Sequence, residues 1–148
     1  FNIFGPRQDA NSPYSGVITK FIVAMLASER PTIFGDGSAT RDFVYVDNIV
    51  SSCLLAADAL KEASGSVYNI GMGTPTSVLE LVKVLNEILE TDLQPIFDPP
   101  REGDLLHSLA DISRAKEILG YKVKVDFKEG LKRTVDWYRT TPSSRNPR

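Results

Sequence analysis

Apolar positions recur along the chain with a helical spacing in some segments and as short runs bounded by turns in others. The helical spacing predicts five helices, over residues 15–29, 47–60, 77–89, 111–120 and 126–138. The short runs predict strands at residues 1–4, 32–34, 43–46, 66–70, 95–97 and 108–110. Helices and strands of these lengths in alternation are typical of an α/β fold.

Polar residues stand at the predicted helix starts. Residues suited to an N-cap role are Asp47, Ser77, Asp111 and Asp126. Ser77 is followed three residues later by Glu80, which is the spacing of a capping box. These positions therefore predict where four of the helices begin.

The predicted strands are too few, too short and too scattered along the chain to form a complete sheet by themselves. The chain also begins within an apolar run, residues 1–4, which we interpret as a cut through a strand. We expect residues 1–140 to be one part of a larger fold, with an exposed sheet edge and an exposed apolar face. The last residues, 141–148, are polar and interrupted by prolines, so we predict a flexible tail there.

Composition and charge exclude several classes of partner. The chain is 42% hydrophobic and 24% charged, and its net charge of −2 gives no reason to expect nucleic acid or an anionic membrane as a partner. The single cysteine, Cys53, excludes an internal disulfide and favours a reducing, cytoplasmic compartment. Because Cys53 lies in an apolar run, far in sequence from the only histidine, His107, we predict that it is a small buried hydrophobe.

Three arginines follow turn residues and are candidates for anion binding: Arg7, Arg41 and Arg101. A guanidinium at the end of a strand can hold a diphosphate with its planar donors, although each arginine alone is as well explained as a solvated surface charge. The glycine-rich segments 35–37 and 71–73 are not followed at once by a helix, so we predict tight turns. One histidine and one cysteine do not make a metal site. The residues alone indicate an α/β domain with an anion-binding candidate.

Five ordered blocks cover residues 1–18, 32–37, 40–47, 68–71 and 101–111; they include FNIFGPRQ, TIFGDG, TRDFVYVD, YNIG and REGD. In this order they resemble the C-terminal half of NAD-dependent nucleotide-sugar epimerases and dehydratases of the extended short-chain dehydrogenase/reductase family. The resemblance is closest to UDP-glucose and UDP-N-acetylglucosamine 4-epimerases. It implies a partial Rossmann-like fold whose C-terminal part binds the substrate.

The resemblance also implies roles for the first two blocks. Asn2 is similar to the asparagine whose side chain meets the nucleotide diphosphate. Val17 and Ile18 resemble the backbone that approaches the nucleotide. The strand that lies along the uracil ring corresponds to three residues, Thr32, Ile33 and Phe34.

The later blocks resemble the rest of the substrate site. Arg41 and Arg101 are similar to the two arginines that hold the diphosphate. Asp104 resembles the carboxylate that binds ribose hydroxyls or orients Arg41. Ser108 resembles a position in the sugar pocket where a small side chain leaves room for an N-acetyl group, although a strand serine without a selective role is an equal alternative. We interpret Asp42 as a strand-end residue and Asp47 as a helix cap.

The family's chemistry, as the resemblance implies it, is a hydride transfer to NAD and its return to the other face of a 4-keto sugar. That chemistry needs a glycine-rich loop after a first strand and a Tyr-x-x-x-Lys pair, and this sequence contains neither. We therefore expect a UDP-sugar-binding half that lacks catalytic residues, is inactive alone, and relies on an absent N-terminal half for most of the NAD site.

Three alternatives stay open. The chain could be a stand-alone module that binds nucleotide sugars without catalysis. It could assemble with a separately made N-terminal half or with itself. It could also be the same half of a nucleotide-sugar 4,6-dehydratase or of a UDP-glucuronate decarboxylase, in which case the fold is unchanged and the reaction differs.

Overall fold

The computed structural model describes residues 1–10, 12, 15–59 and 63–141; the predicted tail from residue 142 onwards lies outside this range. The described elements are, in chain order, β1 (Asn2–Phe4), α1 (Val17–Leu26), β2 (Thr32–Phe34), β3 (Thr40–Arg41), β4 (Phe43–Tyr45), α2 (Val46–Ala57), β5 (Thr76–Ser77), α3 (Val78–Leu89), β6 (Ile96–Asp98), β7 (His107–Ser108), α4 (Ser113–Leu119) and α5 (Phe127–Thr140). They confirm the α/β fold class with five helices in the described part.

The described strands form three separate small sheets. β1 pairs with β4 and β2 pairs with β6, both in parallel. The third sheet has the order β5-β3-β7, with β3 antiparallel to β5 and parallel to β7. Because β3 lies in the middle, it brings together three segments that are far apart in sequence, and Arg41 becomes the register partner of Ser108.

The main core lies where α1, α3 and α5 pack on one another and on β1 and β4. The apolar faces predicted for these helices are buried there, including Ile22, Leu85 and Leu131, each 0% exposed. Phe4 of β1 makes edge contacts with the rings of Tyr45 and Phe127, at centroid distances of 5.7 and 5.9 Å. This core fixes β1 and α1 relative to each other.

The prediction of a strand over residues 66–70 is wrong, because this segment is irregular and pairs with no described strand. Its apolar side chains, Tyr68 and Ile70, instead pack on a second small core that contains Tyr121. The buried Tyr121 hydroxyl donates to the carbonyl of Gly71 at 2.9 Å. Burial raises the pKa of Tyr121, and the charge of Asp42 raises it further.

Two predicted helix caps are confirmed. The Ser77 hydroxyl accepts from the Glu80 amide at 3.0 Å, and the Asp126 carboxylate accepts from the Glu129 amide at 2.8 Å. Each side chain therefore satisfies one of the free N–H groups at its helix start.

The other two predicted caps differ. The N-cap prediction for Asp47 is wrong, because α2 begins at Val46 and its N-cap position is Tyr45. Asp47 lies in the first turn of α2, where the positive end of the helix dipole stabilises a carboxylate. Its carboxylate also pairs with Arg133 at 3.5 Å. Asp111 lies before the N-cap of α4, and its carboxylate accepts from the Ser113 amide at 3.0 Å.

The outer face of α2 is apolar and exposed. Val50 and Leu54 are 51% and 62% exposed, and Cys53 is exposed as well, so the prediction that Cys53 is buried is wrong. The helix buries its polar side instead, through Asn48, Ser51 and Ser52. The sequence pattern identifies an apolar face but does not say what covers it, and the described residues leave this one uncovered. Within those residues, no helix combines the length and apolar content needed to cross a bilayer.

Candidate functional site

A cavity of about 540 Å³ is bounded by residues of β1, α1, β2 and β3. Its volume is within the usual range for small-ligand sites. Nine of the ten predicted binding residues line it, namely Asn2, Val17, Ile18, Thr32, Ile33, Phe34, Arg41, Arg101 and Asp104. Five separate chain segments thus converge on one cavity.

Ser108 is the predicted residue that the structure places elsewhere. It is half-buried in β7, beside Arg41 in the sheet register, and is not among the described residues that line the cavity. Its role in sugar selection therefore stays a prediction. Arg7, the third loop arginine, is exposed in a left-handed backbone conformation (φ 68°) and does not line the cavity either.

One wall of the cavity contains the beginning of α1. Gly16 occupies its N-cap position, and in the described part of the chain no side chain caps this helix. The residues of its first turn, Val17 and Ile18, face the cavity together with Gly16. A helix start of this kind presents backbone N–H groups and the positive end of the helix dipole, which favours an anion.

Arg41 also lines the cavity, with its side chain only 16% exposed. One guanidinium nitrogen donates to Asp104 at 2.6 Å, and the other donates to the carbonyl of Thr40 at 2.9 Å and contacts that of Leu106 at 3.4 Å. The Asp104 side chain is 51% exposed, so this ion pair contributes little to stability. Its effect is geometric, because it sets the direction in which Arg41 faces the cavity.

Arg101 stacks on Phe34. The guanidinium carbon lies 3.7 Å from the centroid of the Phe34 ring, and the Phe34 residue is 38% exposed. Both side chains also line an adjoining recess of about 730 Å³, whose apolar wall includes Phe97 and Leu105. The stacked pair therefore lies where the cavity and the recess meet.

Sequence analysis missed other polar residues of the cavity. Lys20 lines it one turn after Val17, a position that the spacing along α1 could have identified. Arg30 also lines it, but its guanidinium donates to the carbonyls of Gln94 and Pro95 at 2.7 and 3.0 Å, so it joins the segments that precede β2 and β6. Lys20 is therefore the better candidate for a further contact with an anion.

The two glycine-rich turns do not form a dinucleotide cradle. The amides of Met72 and Gly73 are bound to the carboxylate of Asp42, which is fully buried. In the other turn, the Asp36 carboxylate accepts from the amide and hydroxyl of Ser38, and a strand follows instead of a helix. Neither turn fits the phosphates of NAD. Among the described residues, no cluster of three potential metal ligands occurs either.

Two solved structures match the chain over most of its length. The UDP-glucose 4-epimerase of Thermotoga maritima, crystallised with UDP-glucose, is 45% identical, with a TM-score of 0.86 over 93% of this chain and 43% of that enzyme. The UDP-N-acetylglucosamine 4-epimerase of Methanobrevibacter ruminantium, in complex with UDP-N-acetylmuramic acid, is 41% identical, with a TM-score of 0.87 over 95% of this chain and 44% of that enzyme. Both confirm the predicted Rossmann-like fold.

Comparison of sequences agrees. The UDP-glucose 4-epimerase of Mycolicibacterium smegmatis is 40% identical over 93% of this chain and 43% of its own length. A UDP-sugar decarboxylase is also among the relatives. The chain thus spans less than half the length of these proteins. The profile of the NAD dependent epimerase/dehydratase family matches residues 1–71. The chain therefore belongs to the NAD-dependent epimerase/dehydratase family, and it corresponds to the C-terminal half of its full-length members.

Proposed function

We propose that this chain supplies the UDP-sugar-binding part of an NAD-dependent 4-epimerase that acts on UDP-glucose or UDP-N-acetylglucosamine. The observation that carries the proposal is the convergence of Arg41, Arg101 and the start of α1 on one cavity. The related enzymes whose structures contain UDP-glucose and UDP-N-acetylmuramic acid support this ligand class.

The diphosphate would lie between the two arginines and the helix start. Two guanidinium groups offset two phosphate charges, and a planar fork suits phosphate oxygens. Arg41 is already directed by Asp104 and two backbone carbonyls, so little ordering is needed when it binds. Asn2 of β1 also lines the cavity; one N–H of its side-chain amide contacts the carbonyl of Asp42 at 3.4 Å, and the other could donate to the ligand.

The base would lie along β2. This strand pairs with β6 on one edge, and its residues Thr32, Ile33 and Phe34 line the cavity. Backbone groups of a strand edge can read the polar edge of uracil, and the Phe34 ring offers an apolar face for the base. Asp104 could accept from ribose hydroxyls with the lone pairs that Arg41 does not use.

Hydride transfer would depend on groups outside this chain. The sequence contains no Tyr-x-x-x-Lys pair, and the described turns do not fit NAD. We propose that the NAD site and the catalytic residues belong to an N-terminal half. The present chain would then be inactive alone, and we propose that the protein works in the cytoplasm. The apolar face of α2 is the surface such a half would cover.

The test is a calorimetric titration of the chain with UDP-N-acetylglucosamine, with and without NAD. We expect saturable binding that does not depend on NAD and that weakens when Arg101 is replaced by alanine. The matched control is Arg114→Ala, because Arg114 also stacks on an aromatic ring, that of Tyr68, but does not line the cavity. A folded chain that binds no UDP-sugar, or equal losses in both variants, would reject the proposal.

A second candidate keeps the site and changes the reaction. A decarboxylase of UDP-N-acetyl-α-D-glucosaminuronate matches 94% of this chain at 30% identity, so a diphosphate site of this kind occurs with other chemistry. Product analysis on a complete enzyme separates the two: epimerisation conserves the carbon count of the sugar, whereas decarboxylation releases CO₂. Binding by a chain that needs no other half would instead favour a stand-alone module.

A further inference from the structure

Asp42 is a buried carboxylate between two strands of the candidate site. It follows Arg41 of β3 and precedes β4, and it is 0% exposed. Its side chain accepts three backbone hydrogen bonds, from Met72 at 2.6 Å, from Gly73 at 3.0 Å and from Ala110 at 3.2 Å. Three N–H donors are what a desolvated carboxylate requires to stay in a protein interior.

The glycine-rich turn is shaped around this carboxylate. A Cβ atom on Gly71 would lie 2.5 Å from an Asp42 oxygen, and Gly73 has a φ of 69°. Consecutive backbone N–H groups in such a turn form an anion-binding nest. Here the bound anion is a side chain of the same protein, so the turn is tied directly to the residue after Arg41.

The third hydrogen bond links Asp42 to the candidate site. Ala110 lies two residues beyond the end of β7, and β7 pairs with β3 through only two residues, with Arg41 opposite Ser108. The segment before β7 provides the Asp104 carboxylate and the Leu106 carbonyl that contact the Arg41 guanidinium. A two-residue pairing is too short to fix this register by itself, and Asp42 holds both strands from their ends.

We propose that Asp42 is a positioning residue for the diphosphate site, which acts by holding β7 against β3 and so sets the direction of Arg41. The inference rests on the proposed function, because the diphosphate is the group that Arg41 would hold. Asp42 itself does not line the cavity among the described residues. It therefore acts through Arg41 and has no contact with the ligand.

Asn48 provides a matched comparison. It is also 0% exposed, and its side chain also binds loop backbone, accepting from Lys124 at 2.9 Å and donating to Val125 at 2.8 Å. These bonds tie α2 to the segment before α5, and none of these residues lines the cavity. A merely structural role for Asp42 predicts that variants of the two residues behave alike.

The experiment measures calorimetric affinities of the 148-residue chain for UDP and for uridine, which lacks the phosphates. We expect Asp42→Asn to weaken UDP binding about tenfold and uridine binding less than about twofold, because residues of one network couple on this scale. Asn48→Ala should lower the melting temperature and leave both affinities within about twofold. In an Arg41→Ala background, Asp42→Asn should have no further effect on UDP.

Equal weakening of UDP and uridine, or a loss that adds to that of Arg41→Ala, overturns the inference while the proposed function stands. A wild-type chain that does not bind UDP rejects both. If Asp42→Asn does not fold, Thr40→Val is the second variant, because it removes only the exposed contact of the Thr40 hydroxyl with His107 at 2.9 Å on the same strand pair. A UDP-selective loss of about threefold to fivefold that disappears without Arg41 is expected, and a loss within about twofold overturns the inference.

Discussion

Replacement of Phe34 by leucine should change the affinities for a diphosphate and for a nucleotide in opposite directions. In the free chain, the Arg101 guanidinium lies 3.7 Å from the centroid of the Phe34 ring. The proposed complex needs the ring for the base and the guanidinium for the diphosphate. We predict that binding separates the pair, and that the leucine variant removes this requirement together with the stacking surface.

The structure sets the size of both effects. Phe34 is 38% exposed, so its contact with Arg101 is worth about 0.5–1 kcal/mol, or about two- to fivefold in affinity. Stacking of a base on an aromatic ring is worth about 1–3 kcal/mol. Inorganic pyrophosphate gains only from the released Arg101, so Phe34→Leu should tighten its binding about two- to fivefold. UDP also loses the stack, which is the larger effect, so its binding should weaken.

The assay is calorimetric titration of both ligands into wild type, Phe34→Leu and Phe97→Leu. Phe97 is the matched control because it is 54% exposed and is the register partner of Ile33, yet it does not line the 540 Å³ cavity. The Phe97→Leu variant should bind pyrophosphate with the same affinity as wild type. An unchanged or lower pyrophosphate affinity in Phe34→Leu would refute the idea that the ring holds Arg101 back.

Two further predictions concern Ser108 and Tyr121. In a complete enzyme, Ser108→Tyr should abolish turnover of N-acetylated UDP-sugars and spare the plain ones, because the ring would fill the space for the acetyl group; equal loss of both in kinetic assays would reject this. Burial raises the pKa of Tyr121 above its unfolded value near 10, so the folded state holds this proton more tightly. Its contribution to stability is full below pH 10 and falls as the pH rises towards the folded pKa. In denaturant unfolding, the free energy of unfolding of Tyr121→Phe should therefore fall less at alkaline pH than that of wild type. An equal fall in both proteins would contradict a raised pKa of Tyr121.

Local patterns predicted the elements that are stabilised by their own apolar faces. α1, α3 and α5 were identified because their apolar residues meet in one core, as with Phe21, Leu81 and Val135. β3 and β5 were not predicted, since each has two residues and exists only through its pairing with a distant segment. Strands this short have no periodicity of their own, so their position depends on tertiary contacts.

Burial on α2 could not be read from the sequence for a related reason. The apolar spacing of Val50 and Leu54 identifies a face that favours contact, but whether Cys53 is covered depends on what packs there. The candidate site was predicted differently: single arginines are ambiguous, and only the ordered blocks of the family resemblance selected Arg41 and Arg101. The structure then brought nine of the ten selected residues to one cavity, which spacing alone could not have predicted.

The turn at residues 71–73 shows why a glycine pattern needs its anion to be identified. Its composition suits a phosphate nest, yet its N–H groups at Met72 and Gly73 are bound to Asp42. A ligand phosphate could enter only by displacing a buried carboxylate, which would then lose its donors in a site with no access to water. The same contacts thus exclude an external anion at this turn. The proposed diphosphate is therefore expected at the cavity, where Arg41 and Arg101 lie.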